Sequence, residues 1–186
     1  MGHIYYTGEN ETVDVIISRK LENREPELLL VRRKPDKVEG EKLAFPGGFI
    51  NCNAKMGEPF VRDEDIFVAA AREVSEETAL DFDWVKKNIE YVGFFRGPGR
   101  DPRDSDVSWT STHAFAFHLE GTEAEKTLDM HVLGQDDVDF AGWIAFSEVA
   151  KIQLAFDHDK ILDKVHKIEK LSLPSVNTAN IDKLII

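Results

Sequence analysis

The strongest constraint on this chain lies in residues 64–80, where three glutamates stand at spacings that a helix would gather into one acidic cluster. Glu73, Glu76 and Glu77 are at i, i+3 and i+4, so at about 3.6 residues per turn all three project from one side. Like charges at i,i+4 repel by roughly 0.2–0.5 kcal/mol per pair on an open helix, and more where water is scarce. The cluster calls for a cation. Arg72, beside Glu76, relieves one carboxylate but not three. A divalent ion relieves the rest, and hard oxygen ligands of this kind suit Mg2+ or Mn2+. The competing reading is a solvated acidic face on an ordinary amphipathic helix. Against it, Phe67, Ala70, Ala71, Val74 and Thr78 form a stripe of apolar and small residues that Glu73 and Glu77 flank, which puts both at the edge of a core.

The length of 186 residues suits one well-buried domain, residues 1–186, better than two. An apolar share of 42% and a charged share of 31% are those of a soluble globular chain. No apolar run approaches the roughly eighteen residues needed to span a membrane. The first residues lack a basic segment followed by an apolar one, so a cytoplasmic location is expected. Cys52 is the single cysteine, which excludes an internal disulfide. A net charge of −12 without a Lys/Arg cluster opposes nucleic-acid binding. A phosphate-bearing small molecule is compatible with that charge if metal ions supply positive charge locally.

Along the chain, residues 12–19 alternate around Val13, Val15 and Ile17, residues 27–33 centre on the apolar run Leu28 to Val31, and residues 23–26 read as a turn, which predicts a β-hairpin. Residues 43–49 read as one short strand ending in the bend Gly47-Gly48, where the main chain can approach a ligand closely. Further strands are expected at 89–96, 110–119 and 140–146, with a brief helix at 147–152. Residues 157–172 carry Ile161, Leu162, Val165, Ile168 and Leu171 at helical spacing. Asp157 suits the N-cap, with Phe156 and Ile161 placed for a hydrophobic staple; His158 and His166 are expected in solvent. Leu184, Ile185 and Ile186 call for burial on the domain or against a second copy, as in a homodimer.

Glu64, then Arg72-Glu73-Val74-Ser75-Glu76-Glu77-Thr78-Ala79-Leu80, with Gly47-Gly48 upstream, resembles the signature of Nudix hydrolases, which cleave nucleoside diphosphates linked to another moiety. Two departures stand out. Gly48 lies sixteen residues before Glu64, so residues 50–63 read as an insertion, and Ala79 stands where the family has glycine. Glu64 fits the first glutamate better than Glu58, because its spacing to Arg72 is right and Asp63 to Asp65 would make an acidic first turn. Asp101-Pro102-Arg103, Asp106 and Trp109, and later Gly134 to Asp137 with Trp143, are similar to segments of the family's ADP-ribose pyrophosphatases.

The resemblance implies an α/β (α+β) fold, a Nudix-type α/β/α sandwich around a mixed β-sheet, with the box helix and the helix at 157–172 on opposite faces. It also implies metal-assisted hydrolysis of a small-molecule nucleotide substrate, foremost ADP-ribose. Glu73, Glu77 and Glu76, with a carbonyl near Gly48, would hold Mg2+ or Mn2+, and Arg72 would orient the carboxylates with Glu64 as its partner. Arg103 offers a planar fork to phosphate or ribose oxygens, Asp101 or Asp106 can accept from ribose hydroxyls, and Arg33, with Arg32, borders the substrate. Trp109 stacks on a flat ring or fills the core; a surface pair is the other reading of Arg103 with an aspartate. The general base stays open among Asp136, Asp137, Glu123 and Glu125. Other dinucleotides or nucleotide sugars are alternative substrates, and a binding domain without activity is an alternative function. A DNA-binding regulator would need a further module, for which the stretch after Asp157 offers no basic recognition helix.

Overall fold

The alternation around Val13, Val15 and Ile17 forms β1 (Gly8–Lys20), the central strand of a seven-stranded mixed sheet. The structure, a computed structural model, describes residues 6–97, 99–128 and 137–169. The expected hairpin is present: β2 (Glu27–Arg33) runs antiparallel to β1 at Ile17 to Arg19. Residues 43–49 are two strands rather than one, β3 (Leu43–Ala44) on β2 and β4 (Gly47–Phe49) on β1. The chain changes partner at Phe45 and Pro46, and the crossing sets Gly47 and Gly48 opposite Asp14 and Val13. On the other side of β1, β6 (Ser108–Glu120) runs parallel to it along its whole length, followed by β5 (Glu90–Phe95); β7 (Val138–Ala145) lies on β2.

The two faces of the sheet carry different helices. Val13, Val15 and Ile17 pack with Ala70, Ala71 and Val74 of α1 (Ile66–Thr78). Ile16, Leu28 and Leu30 pack with Ile161, Leu162 and Val165 of α5 (His158–Glu169). This is the α/β/α sandwich with a mixed sheet. Burying a side chain of this size contributes about 1.5–3 kcal/mol, so both helices are held mainly by their apolar stripes. The three shorter helices are α2 (Phe82–Asn88), α3 (Gly121–Lys126) and α4 (Phe146–Val149), the last beginning one residue before the expected brief helix. Because β1 is covered on both sides, Asp14 and Ser18, which alternation alone would leave in water, are buried as well. Among the described residues no helix is long and apolar enough to cross a membrane.

Both ends of α1 differ from expectation. Asp65 is the N-cap, accepting from the Phe67 and Val68 N–H groups, so Asp63 to Asp65 precede the helix and its first turn carries no acidic residue. At the other end Ala79 adopts the left-handed conformation, with φ 60°, and its N–H donates to the Ser75 carbonyl. That conformation costs an L-residue about 1–2 kcal/mol and costs glycine almost nothing, which is the physical reason a glycine suits this position. Ala79→Gly is therefore expected to raise stability by about 1 kcal/mol, read by denaturant titration, with activity unchanged. A lower stability would contradict the assigned conformation.

The start of α5 corrects two expectations, while Asp157 does stand at the N-cap position, directly before His158 and with its carbonyl accepting from the Ile161 N–H. The Asp157 carboxylate is taken by the Arg100 guanidinium in two bonds of 2.7 and 2.8 Å. Phe156, at φ 54°, packs against the cluster of Val31 and Ala44 while Ile161 belongs to a different cluster, so the staple is not made. His158, expected in solvent, is 3% exposed. The His166 side chain, residues 170–172 at the end of the expected helix, and the tail with Leu184 to Ile186 lie outside the described residues.

Candidate active site

The site begins where β4 leaves the Phe45-Pro46 crossing. Gly47 has no room for a side chain, since a Cβ would lie 2.1 Å from the Val13 carbonyl oxygen. A Cβ on Gly48 would lie 2.6 Å from a Glu73 carboxylate oxygen. Two glycines thus let the strand press against the acidic side of α1. The Gly47 N–H donates to Glu77 Oε2 at 2.9 Å. Glu77 is only 3% exposed. Burial pushes its carboxyl well above the usual glutamate range; the Gly47 N–H and Arg33 pull the other way, while Glu73 and Asp14 add to the rise.

Arg72 organises the outer half of the cluster. All five N–H donors of its guanidinium are used: two on Glu64 (2.9 and 3.0 Å), one each on Glu73 (2.7 Å) and Glu76 (3.1 Å), and one on the Phe49 carbonyl (3.1 Å). Its pKa rises further, first through the Glu64 bonds. Burial would raise the Glu64 carboxyl, but Arg72 and the Asn51 N–H outweigh it and hold it below the usual range. Glu64 precedes α1, yet the insertion brings it home. Residues 50–63 double back, with Cys52 bridging Arg62 and Asn53 donating to the Val61 carbonyl. The two ends meet at Asn51, whose N–H donates to Glu64 at 3.1 Å. Glu58 instead accepts from the Lys55 N–H within the excursion.

Glu73 and Glu77 line a cavity of about 960 Å³ that Arg33 and Arg103 line as well. Burial lowers the Arg33 pKa, and Arg103 lowers it further. The Arg33 guanidinium lies 5.0 Å from the centre of the Phe156 ring, and that of Arg103 lies 5.4 Å from Phe49 and 5.9 Å from Phe156. Asp101, buried, spends its carboxylate on the Arg103 backbone and guanidinium, so it orients Arg103. Asp106 and Trp109 line a neighbouring cavity of about 680 Å³ that shares Asp101. Glu76 stands on the solvent side of Arg72 and does not line the main cavity, although its helix spacing puts it on the same side. Arg32 points instead to Asp139. Asp137 lines the main cavity and pairs with Lys37; Glu123 and Glu125 sit in α3 past the end of β6, away from it. Asp136, with Gly134 and Gln135, lies outside the described residues.

Sequence reasoning missed several polar residues that line this cavity, among them Asp14, Arg100, Asp157 and His158. Asp14 had a signal, a charged residue inside the otherwise apolar run Val13 to Ile17. The others sit among turn and helix-start residues, where charge is ordinary.

The donor set fits a divalent ion. Among the described residues no three Asp, Glu, His or Cys side chains already converge on one point. Mg2+, however, keeps several waters and is usually held by one or two carboxylates plus substrate phosphates. Glu73 and Glu77 supply two carboxylates that repel each other beside the glycine bend, and an ion between them would offset that repulsion, which adds to the effect of burial on the Glu77 carboxyl.

This fold, with an arginine-braced acidic helix against a diglycine bend, defines a class. The chain belongs to the NUDIX domain family, whose model matches residues 10–165. It is 30% identical over 139 residues to an ADP-ribose pyrophosphatase of Methanocaldococcus jannaschii, covering 75% of this chain and 65% of that protein. The chain thus spans less than two thirds of that relative, and 53% of a second one. The NUDIX domain of Shewanella oneidensis NrtR complexed with ADP ribose has a TM-score of 0.66 at 22% identity, covering 87% of this chain and 88% of that one. A bifunctional NMN adenylyltransferase/ADP ribose pyrophosphatase from Francisella tularensis, complexed with AMP and a Mn ion, has a TM-score of 0.64 at 23% identity, covering 88% of this chain and 42% of that one. At such identities the two structures speak for the fold alone.

Proposed function

We propose that the protein hydrolyses a nucleoside diphosphate linked to another moiety, foremost ADP-ribose, to AMP and ribose 5-phosphate. The observation that carries this reading is a cavity lined both by the carboxylates of Glu73 and Glu77 and by the guanidinium groups of Arg33 and Arg103. Glu73, Glu77 and the Gly48 carbonyl, with Glu76 at the margin, would hold Mg2+ or Mn2+, which when bound would supply Lewis acidity to the diphosphate and to an attacking water. Arg33 and Arg103 bind the phosphate oxygens as planar forks, held in place by Phe156 and Asp101. Arg72, fixed by Glu64, keeps Glu73 turned toward the Gly47-Gly48 bend. Asp137, which lines the cavity and pairs with Lys37, is the general base in this reading. Asp106 and Trp109, across Asp101, contact the group beyond the diphosphate. The partner is a small nucleotide in the cytoplasm, not nucleic acid, and dimer formation is part of the same reading.

Incubation with ADP-ribose, NADH and nucleotide sugars in Mg2+ or Mn2+, with chromatography of products, tests the reading. Release of AMP from ADP-ribose is expected. Binding of ADP-ribose without AMP release would make the domain a sensor instead, and no binding of any member of the panel would overturn the proposal. Arg103→Ala is expected to raise KM by about 10- to 100-fold, the loss of one charge-assisted phosphate contact. An unchanged KM would remove Arg103 from the binding wall.

A further inference from the structure

His158 enters the site from the opposite face of the sheet. It is the first residue of α5, whose apolar stripe packs against the side of β1 away from α1. Its imidazole nonetheless reaches through to the metal-facing bend. Nδ1 lies 2.9 Å from the Phe45 nitrogen, and a backbone N–H can only donate, so Nδ1 is the acceptor. The proton therefore sits on Nε2, which faces Asp14 Oδ1 at 3.3 Å. The ring stacks on Phe45, 4.9 Å between centres at 12°, which fixes its plane.

These contacts grip the bend from both sides. Phe45 is the last residue before the Pro46-Gly47-Gly48 turn, and Asp14 is the β1 partner of Gly47. The Pro46 carbonyl accepts from Val15, and the Gly47 N–H holds Glu77 at 2.9 Å. Gly48 in turn touches the Glu73 carboxylate so closely that a single added carbon would displace it. A shift at Phe45 therefore moves the groups that set the separation of Glu73 and Glu77.

We propose that His158 is a positioning residue for metal binding, locking the Phe45-Pro46-Gly47-Gly48 bend so that Glu73, Glu77 and the Gly48 carbonyl face one point. This rests on the reading of Glu73 and Glu77 as the metal-holding pair. Removing the imidazole nitrogens leaves the buried Phe45 N–H without its acceptor and takes one partner from the Asp14 carboxylate, and the bend relaxes in response.

The test measures Mn2+ binding to the substrate-free protein by electron paramagnetic resonance, alongside the Mn2+ dependence of diphosphate hydrolysis. His158→Phe, which keeps the ring and its stacking but neither nitrogen, is expected to weaken Mn2+ binding by about tenfold or more and to raise the half-activating Mn2+ concentration in parallel, with turnover recovering as metal is raised. His158→Asn places an amide oxygen near the Nδ1 position and is expected to restore much of the affinity. Unchanged Mn2+ binding in folded His158→Phe overturns the proposal, as does a loss of activity that is equal at every metal concentration. Normal Mn2+ binding by the wild type without hydrolysis would refute the catalytic reading while leaving the positioning role standing or falling on the binding data. Absence of Mn2+ binding by the wild type overturns both.

Discussion

Glu77→Gln is expected to lower turnover by about a thousandfold, roughly 4 kcal/mol of transition-state stabilisation, without lowering the melting temperature. The two halves of this expectation come from one observation. Glu77 is buried at 3% exposure beside two other carboxylates, Glu73 and Asp14, so its ionised form is costly to the folded protein when no metal is present. An amide of the same shape removes that cost and can still accept the Gly47 N–H bond at 2.9 Å. It cannot offer a divalent ion the charge that draws it into the cavity. Steady-state turnover in Mn2+ and calorimetry on the metal-free protein check the two halves separately. A variant that loses both activity and stability would make Glu77 a structural residue, and unaltered turnover would remove it from the metal site.

What was legible in the sequence is what local periodicity encodes. The i, i+3, i+4 spacing of Glu73, Glu76 and Glu77 located the acidic side of α1, and the stripe from Ile161 to Val165 located the helix on the other face. Periodicity could not rank the glutamates. Glu73 and Glu77 face the bend while Glu76 is turned to solvent by its bond to Arg72, a distinction made by β4 and not by the helix. The parallel pairing of β1 with β6 joins residues about a hundred positions apart, and nothing in either segment announces it. It is this pairing, with α5 behind it, that buries Asp14 and brings His158 to it. The insertion separates Gly48 from Glu64 in sequence but not in space. Residues 50–63 return to Asn51, so Glu64 reaches Arg72 as though the excursion were absent. The staple at Phe156 failed for a related reason. Its left-handed backbone turns the ring toward Arg33 and Arg103, where it supports the cationic wall instead of capping α5.

Arg72→Lys is expected to lose both stability and activity, the opposite pattern to Glu77→Gln. A guanidinium presents five donors in a rigid fork, and here every one is engaged. An ammonium offers three on a flexible stem and cannot hold Glu64 by both oxygens while also reaching Glu73 and the Phe49 carbonyl. Glu64 and Glu73, 9% and 12% exposed at their side chains, would be left partly unpaired. Breaking a fully buried pair costs about 3–5 kcal/mol; partial exposure and the retained charge reduce this to about 2–3 kcal/mol. For a chain of this size that corresponds to a fall in melting temperature of roughly 4–12 °C. Turnover should fall about a hundredfold, because Glu73 is no longer fixed against Gly48 and β4 loses its tie to α1 through Phe49. Glu64→Gln, which removes one charge and keeps an acceptor, should show a smaller loss of the same kind. Equal melting temperatures for wild type and Arg72→Lys would mean that the carboxylates are braced from elsewhere, and the acidic cluster that dominates the sequence would then owe its shape to metal rather than to arginine.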